Sequence, residues 1–272
     1  MIAIEEGVDK IYLSGDVFEP NFSFSKEEIK KITDSKKSSK IYLGLPRMMF
    51  EEEFSKYNHL LKNNDLGLDG LLVTNLGAIS KFKELGLELI GDYSLNIYNA
   101  ISANFYKNQG LNRGVLSCES PVNNTKDALL NSELDLEIIA HGSPVVMYMS
   151  HDLYENTKVF NPSKIVNRKY NDKNVLLLID DKGNEHPVYR DNTGKNHMLL
   201  SKELCYMPIL KELTNLGAKS FRIEGCHYDN NTLKTVITSY KKAINDLDKC
   251  NEIFEMLEFD CLGFTLGAMQ FN

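Results

Sequence analysis

The chain has 272 residues, 42% of them hydrophobic and 25% charged, with 31 basic against 38 acidic side chains for a formal charge of −7. That length accommodates one large domain with an ample core, and the acidic balance speaks against a dominant nucleic-acid-binding surface without excluding local RNA contact. No run of eighteen apolar residues occurs, so no membrane-spanning helix is expected.

In chain order, the acidic MIAIEEGVDK lacks the charged-then-apolar pattern of a secretory leader and reads as the end of a helix entering the first strand. Seven strand-like segments follow, most of them short, non-alternating apolar runs: IYLSG (11–15), KIYLGLPR (40–47), GLLVTN (70–75), LELIGDYSLN (87–96), RGVLSCES (113–120), LEIIAHGS (136–143) and SFRIEG (220–225). Strands buried on both faces of a parallel sheet read this way. Helical stretches lie between most of them. Ser25 and Glu28 have capping-box spacing, and FEEEFSKYNHLLKN, LGAISKFKELG and YNAISANFYKNQG are amphipathic.

This β-α alternation implies an α/β fold, either a TIM-barrel-like (β/α)8 that lacks its first strand or an open doubly wound sheet; we favour the barrel. Residues 145–204 are too long for a loop of a compact domain. NVLLLIDDKGNEHPVYRD within them reads as two strands joined at Asp181–Asn184. The expected organisation is a barrel of residues 1–144 and 201–272, with 145–200 inserted after the penultimate strand as a small β-rich lid or a packing appendage.

Seven polar residues end these strands: Asn75, Asp92, Asn96, Glu119, His141, Arg222 and Glu224. In a barrel they share the C-terminal rim, where such folds place their chemistry. Arg222 could clamp a carboxylate or phosphate, with Asp92, Asn96 and Asn75 as further substrate contacts. His141 suits proton transfer, with Glu119 and Glu224 as acid–base partners. Arg222 and Glu224, two apart on one strand, could equally be a structural ion pair. Ser117, Cys118 and Ser143 occupy no G-x-S-x-G elbow, and Cys118 reads as a core thiol. The five cysteines, 118, 205, 226, 250 and 261, form no C-x-x-C pair, and an odd count without a leader points to reduced thiols in the cytoplasm. Asp16, His151, Asp152 and His186 show no ligand spacing, so no metal site is expected.

The ordered segments DGLLVTNLGAISKFKELGLELIGDYSLNIYNA (69–100), RGVLSCE (113–119), LDLEIIAHGSPVVMY (134–148), HMLLSKELCYMPILKELTNLGAKSFRIEG (197–225) and the closing GFTLGAMQFN resemble the peptidase U32 family. The resemblance implies a TIM-barrel-like fold and two functions. One is the collagenase-like proteolysis of the family name. The other is oxygen-independent hydroxylation of tRNA, ribosomal RNA or a quinone precursor, on a [4Fe–4S] cluster held by four cysteines, with prephenate used by the RNA-modifying members. Here the first two cluster positions fall on Val145 and Asp152, the third has no counterpart, and Cys205 alone retains a ligand position. Relatives also carry a histidine and an aromatic where this chain has Ala268 and Met269. No cofactor is therefore expected, and a [4Fe–4S] cluster least of all. The expected partners are a small anionic molecule or peptide and a cluster-bearing U32 paralogue. A nominal peptidase and a degenerate, non-catalytic barrel both fit this pattern.

Overall fold

The computed structural model describes residues 1–62, 65–156, 175–258 and 261–270. Strands β1 (Lys10–Leu13), β2 (Lys40–Gly44), β3 (Gly70–Val73), β4 (Glu88–Gly91), β5 (Arg113–Val115) and β6 (Asp135–Gly142) pair in parallel, each with the next. Helices α1 (Ile2–Glu5), α2 (Lys26–Asp34), α3 (Glu51–Leu61), α4 (Leu76–Phe82), α5 (Ala100–Gln109) and α6 (Val122–Asn131) alternate with them. The capping box of α2 is formed, Ser25 Oγ accepting from Glu28 N–H at 3.2 Å while the Glu28 carboxylate accepts from Ser25 N–H at 2.8 Å.

After β6 the chain leaves the barrel for an antiparallel sheet of β7 (Val145–Met149), β8 (Val175–Ile179), β9 (Glu185–Arg190) and β10 (Asn196–Leu199), with α7 (Leu153–Asn156) beside it. The order is β7-β10-β9-β8, and β8 and β9 form the expected hairpin. Part of the lid segment read from the sequence, 157–174, lies outside the described residues. The chain then returns through β11 (Glu203–Cys205), α8 (Leu210–Asn215), β12 (Phe221–Glu224), α9 (Asn230–Asn245), α10 (Cys250–Glu255) and β13 (Phe264–Thr265). Strand β12 pairs in parallel with β6, giving seven consecutive parallel strands, β1 to β6 and β12. Strand β11, not foreseen in the sequence, pairs antiparallel with the end of β6 and carries β13.

Side-chain alternation curls this sheet around its own interior. Tyr42, Leu72 and Ile90 form an inner cluster with Tyr12, whereas Ile41, Leu43, Leu71, Val73 and Leu89 join the main core. The interior is filled by polar groups as well. Tyr12 donates to Glu137 at 3.0 Å, and Arg113 donates to Ser220 at 2.7 Å, which in turn donates to Glu137 at 3.2 Å. Among the described residues no strand bridges β12 and β1. The Arg222 guanidinium spans that gap over the Tyr12 ring, 5.0 Å from its centroid, and outside it α1 packs on α9 with Glu6 facing Lys234 at 3.3 Å. The fold is thus a TIM-barrel-like curled sheet with one strand position unfilled. No described helix is long and apolar enough to cross a membrane.

Candidate functional site

The strand ends bring Asp92, Arg222 and Glu224 together. Arg222 projects inward from β12, donating through Nη1 to Asp92 at 2.7 Å and through Nη2 to Glu224 at 2.6 Å. All three are nearly enclosed, their side chains 11%, 9% and 15% exposed. Burial pushes the Glu224 carboxyl above its ordinary range and the Asp92 charge adds to this, with Arg222 opposing. Burial disfavours the Arg222 cation, but Glu224 and Asp92 more than offset this and hold it charged. Both Nη groups expected to clamp a substrate anion are thus already engaged by carboxylates of the chain itself. Cys118 lies at the same mouth; burial, with the Glu224 and Asp92 charges, pushes its thiol up to about 12.

The other candidates lie elsewhere. Asn75 caps α4, its Oδ1 accepting from Ala78 N–H at 2.8 Å. Asn96 is exposed and ends a tight turn in the left-handed region, φ +53°. Glu119 is exposed on the loop after β5.

His141 is turned away from the mouth. Opposite β12 the register slips by one residue, Arg222 facing Ile139 but Ile223 facing His141, so Ala140 is extra. A one-residue bulge moves the next side chain to the other face. His141 is therefore fully buried on the helix side, its ring 5.4 Å from Tyr240 of α9 and Nε2 3.8 Å from Glu203 of β11. The structure thus does not bring His141 together with Glu119 and Glu224. The bulge is held from outside, because the Ala140 carbonyl accepts from Tyr240 Oη at 2.7 Å and Tyr206 N–H at 2.8 Å. Gly142 follows with φ +115°, where an added Cβ would stand 2.2 Å from the Glu224 carbonyl. Only glycine fits so close a backbone approach.

Sequence reasoning passed over Arg47, Asp191 and His197, and set Asp16 aside for want of a ligand spacing. Arg47, at the end of the KIYLGLPR run, is half-buried with its guanidinium 5.4 Å from the Tyr93 ring centroid. Asp16 follows β1, and its carboxylate accepts from the backbone N–H of Arg47 at 3.2 Å. The inserted sheet closes on this edge. Glu19 N–H donates to Arg190 at 2.9 Å, Phe18 stacks on Tyr189 at 4.9 Å, and Val145 N–H donates to Tyr93 Oη at 3.0 Å. Between sheet and rim lies a cavity of about 280 Å³ whose lining includes Gly15, Asp16, Pro46, Tyr57, Asp191 and Lys195.

Asp191 begins the β9–β10 turn and pairs with His197 Nε2 at 2.8 Å. Burial pushes the Asp191 carboxyl up, but hydrogen bonds from His197, Thr193 and Lys195 prevail and hold it near 2. Burial raises Asp16, and His197 opposes. Asp16, Asp191 and His197 are the one set of three or more metal-ligating side chains that converges among the described residues. It was missed because Asp16 is some 175 positions from the hairpin that carries Asp191 and His197, with no characteristic spacing to join them.

The residues at the iron–sulfur positions do not fit a cluster. Val145 offers no donor side chain. Asp152 caps the turn into α7, accepting from Tyr154 N–H at 2.9 Å, and pairs with Arg190 at 2.7 Å. Cys205 is buried 3.7 Å from Tyr240 Oη, and burial pushes its thiol up to about 11. A cluster of this type needs several thiolates, and these positions supply one.

A sequence model of peptidase family U32 matches residues 1–260. The tRNA hydroxylation protein P2 of Bacillus subtilis is 22% identical over 228 residues, 82% of this chain and 74% of that protein. A protein described as an uncharacterized protease in Methanocaldococcus jannaschii is 27% identical over 90% of this chain and 62% of its own length. The 23S rRNA 5-hydroxycytidine C2501 synthase of Escherichia coli is 22% identical over 89% of this chain but 37% of the enzyme. Because that family model spans almost the whole chain, this chain belongs to peptidase family U32.

Proposed function

We propose that the mouth of this U32 barrel, roofed by the inserted sheet, binds a small anionic molecule with Arg47 as its main cationic contact. The observation that carries this reading is the contrast between two arginines. Arg222 is held between Asp92 and Glu224, whereas the Arg47 guanidinium rests against Tyr93 and closes no ion pair among the described residues, the neighbouring Asp16 carboxylate accepting from its backbone N–H and attracting its charge only from farther off. A half-buried guanidinium without a fixed counter-ion favours a carboxylate or phosphate ligand.

The mouth offers little for proteolysis through a covalent intermediate. The Cys118 thiol is pushed up to about 12, and His141 lies on the opposite face of its strand. Two of the three relatives described above are named for RNA hydroxylation. We therefore read this chain as a cluster-free participant in that process, holding a small acid and working beside a cluster-bearing U32 paralogue. Metal-assisted hydrolysis is the second reading, favoured by the convergence of Asp16, Asp191 and His197 beside a cavity that the two aspartates line.

Thermal unfolding with and without prephenate, and with simpler dicarboxylates, tests the anion site. A ligand bound at a hundred times its Kd stabilises by about 2.7 kcal/mol. The native chain should show an upward shift that Arg47→Ala loses; no shift with any such acid, or an equal shift in the variant, contradicts the reading. Anaerobic affinity purification tests the partnership. Co-elution of an iron-bearing U32 paralogue supports it, and a strictly solitary chain counts against it.

A further inference from the structure

We infer that Asp16, Asp191 and His197 form a divalent-cation site at the junction of barrel and inserted sheet, with open coordination positions toward the adjoining cavity. One donor atom from each lies within 4.8 Å of the others. Asp191 and His197 are only 2% and 1% exposed. Asp191 Oδ2 and His197 Nε2 stand 2.8 Å apart. Adjacent ligands of an octahedral ion with bonds near 2.05 Å are about 2.9 Å apart, so Asp191 and His197 would need little movement, and Asp16 would close in on them.

The surroundings suit a ligand set. The other Asp191 oxygen is fixed by Thr193 N–H at 2.8 Å, Thr193 Oγ1 at 2.7 Å and Lys195 N–H at 3.0 Å, which leaves Oδ2 directed at His197. Such outer hydrogen bonds orient metal ligands. Tyr148, its ring edge-to-face with His197 at 4.7 Å, carries a buried hydroxyl with no hydrogen-bond partner among the described residues. A metal-bound water would satisfy it. An Asp191–His197 hydrogen bond locking the hairpin explains two of the three residues. It does not explain Asp16, which the barrel contributes from the other side.

Two carboxylates and one imidazole suit first-row divalent ions such as Mn²⁺, Co²⁺ or Zn²⁺, and three protein ligands leave room for water or a substrate oxygen. Because the ligands come from both sides of the junction, the ion would also hold the inserted sheet to the barrel. The site stands independently of the anion-binding reading.

Titration of the full-length chain with Co²⁺, followed by calorimetry and visible absorption, decides the matter. The expected result is one ion per chain, with ligand-field bands and no thiolate charge-transfer band. Asp16→Asn and His197→Gln should each weaken binding at least about tenfold, a loss that even changes to groups hydrogen-bonded to the ligands produce. Asp16 lies outside the hairpin, so Asp16→Asn keeps the test valid if His197→Gln fails to fold. Absence of binding to the native chain, unchanged affinity in the folded variants, or a thiolate band would overturn the site.

Discussion

At the scale of single residues, the Asp92–Arg222–Glu224 triad shows why a charged strand end is not by itself a substrate clamp. Removing one partner of a nearly buried ion pair leaves uncompensated charge, at a cost of about 3–5 kcal/mol. Arg222→Ala should therefore lower urea-unfolding stability by about 3 kcal/mol or more, the two facing carboxylates losing their shared cation. A change below about 1 kcal/mol would show that solvent already screens the triad. The sequence disclosed that Arg222 and Glu224 share a face, and it left structural pairing open. It could not disclose the third member, because Asp92 lies 130 positions away and meets Arg222 only through the curl of the sheet.

Asp69 gives a pH-dependent counterpart. Burial raises its carboxyl, but Lys36 at 2.7 Å and the Ile41 N–H at 2.9 Å outweigh this and hold it below its ordinary value. A depressed carboxyl stabilises the fold above the unfolded-chain pKa, and this contribution fades as pH falls through the lower folded value. Asp69→Asn should thus cost about 1 kcal/mol near neutrality and little in strong acid. Chemical unfolding at several pH values measures this, and a pH-independent difference would refute the assignment.

At the scale of elements, the β6 bulge decides which histidine reading holds. Period-two counting from Glu137, which faces inward, places Ile139 and His141 inward as well. The extra residue at Ala140 reverses that for His141, and nothing in LEIIAHGS announces a bulge except the glycine after it. His141→Ala should accordingly behave as a core mutation. We expect a loss of about 2 kcal/mol with ligand binding at the mouth retained. Abolished binding in a folded variant would return His141 to the site. The β8–β9 hairpin, by contrast, was legible from its turn residues, and the α2 cap from Ser25 and Glu28. Local chemistry of that kind survives folding unchanged, whereas register and strand β11 depend on partners distant in sequence.

At the scale of the whole molecule, the order of seven parallel strands was legible because most are short apolar runs separated by helical stretches. The place where chemistry gathers was only half legible. The rim rule pointed to the mouth, but the inserted sheet meets it along one edge, where Tyr189 and Asp191 contact Phe18 and Val145 contacts Tyr93. Arg47 and Asp16 gain their setting from that docking, which no spacing along the chain encodes.

The account rests on a ligand pocket at that edge, beneath the inserted sheet. Hydrogen–deuterium exchange of the native chain with and without saturating prephenate, or another bound dicarboxylate, locates it directly. Added protection should concentrate at residues 44–48, 92–97 and 143–149, where rim and sheet meet. Protection confined to the outer helices α5 and α6, with these three segments unchanged, would contradict it.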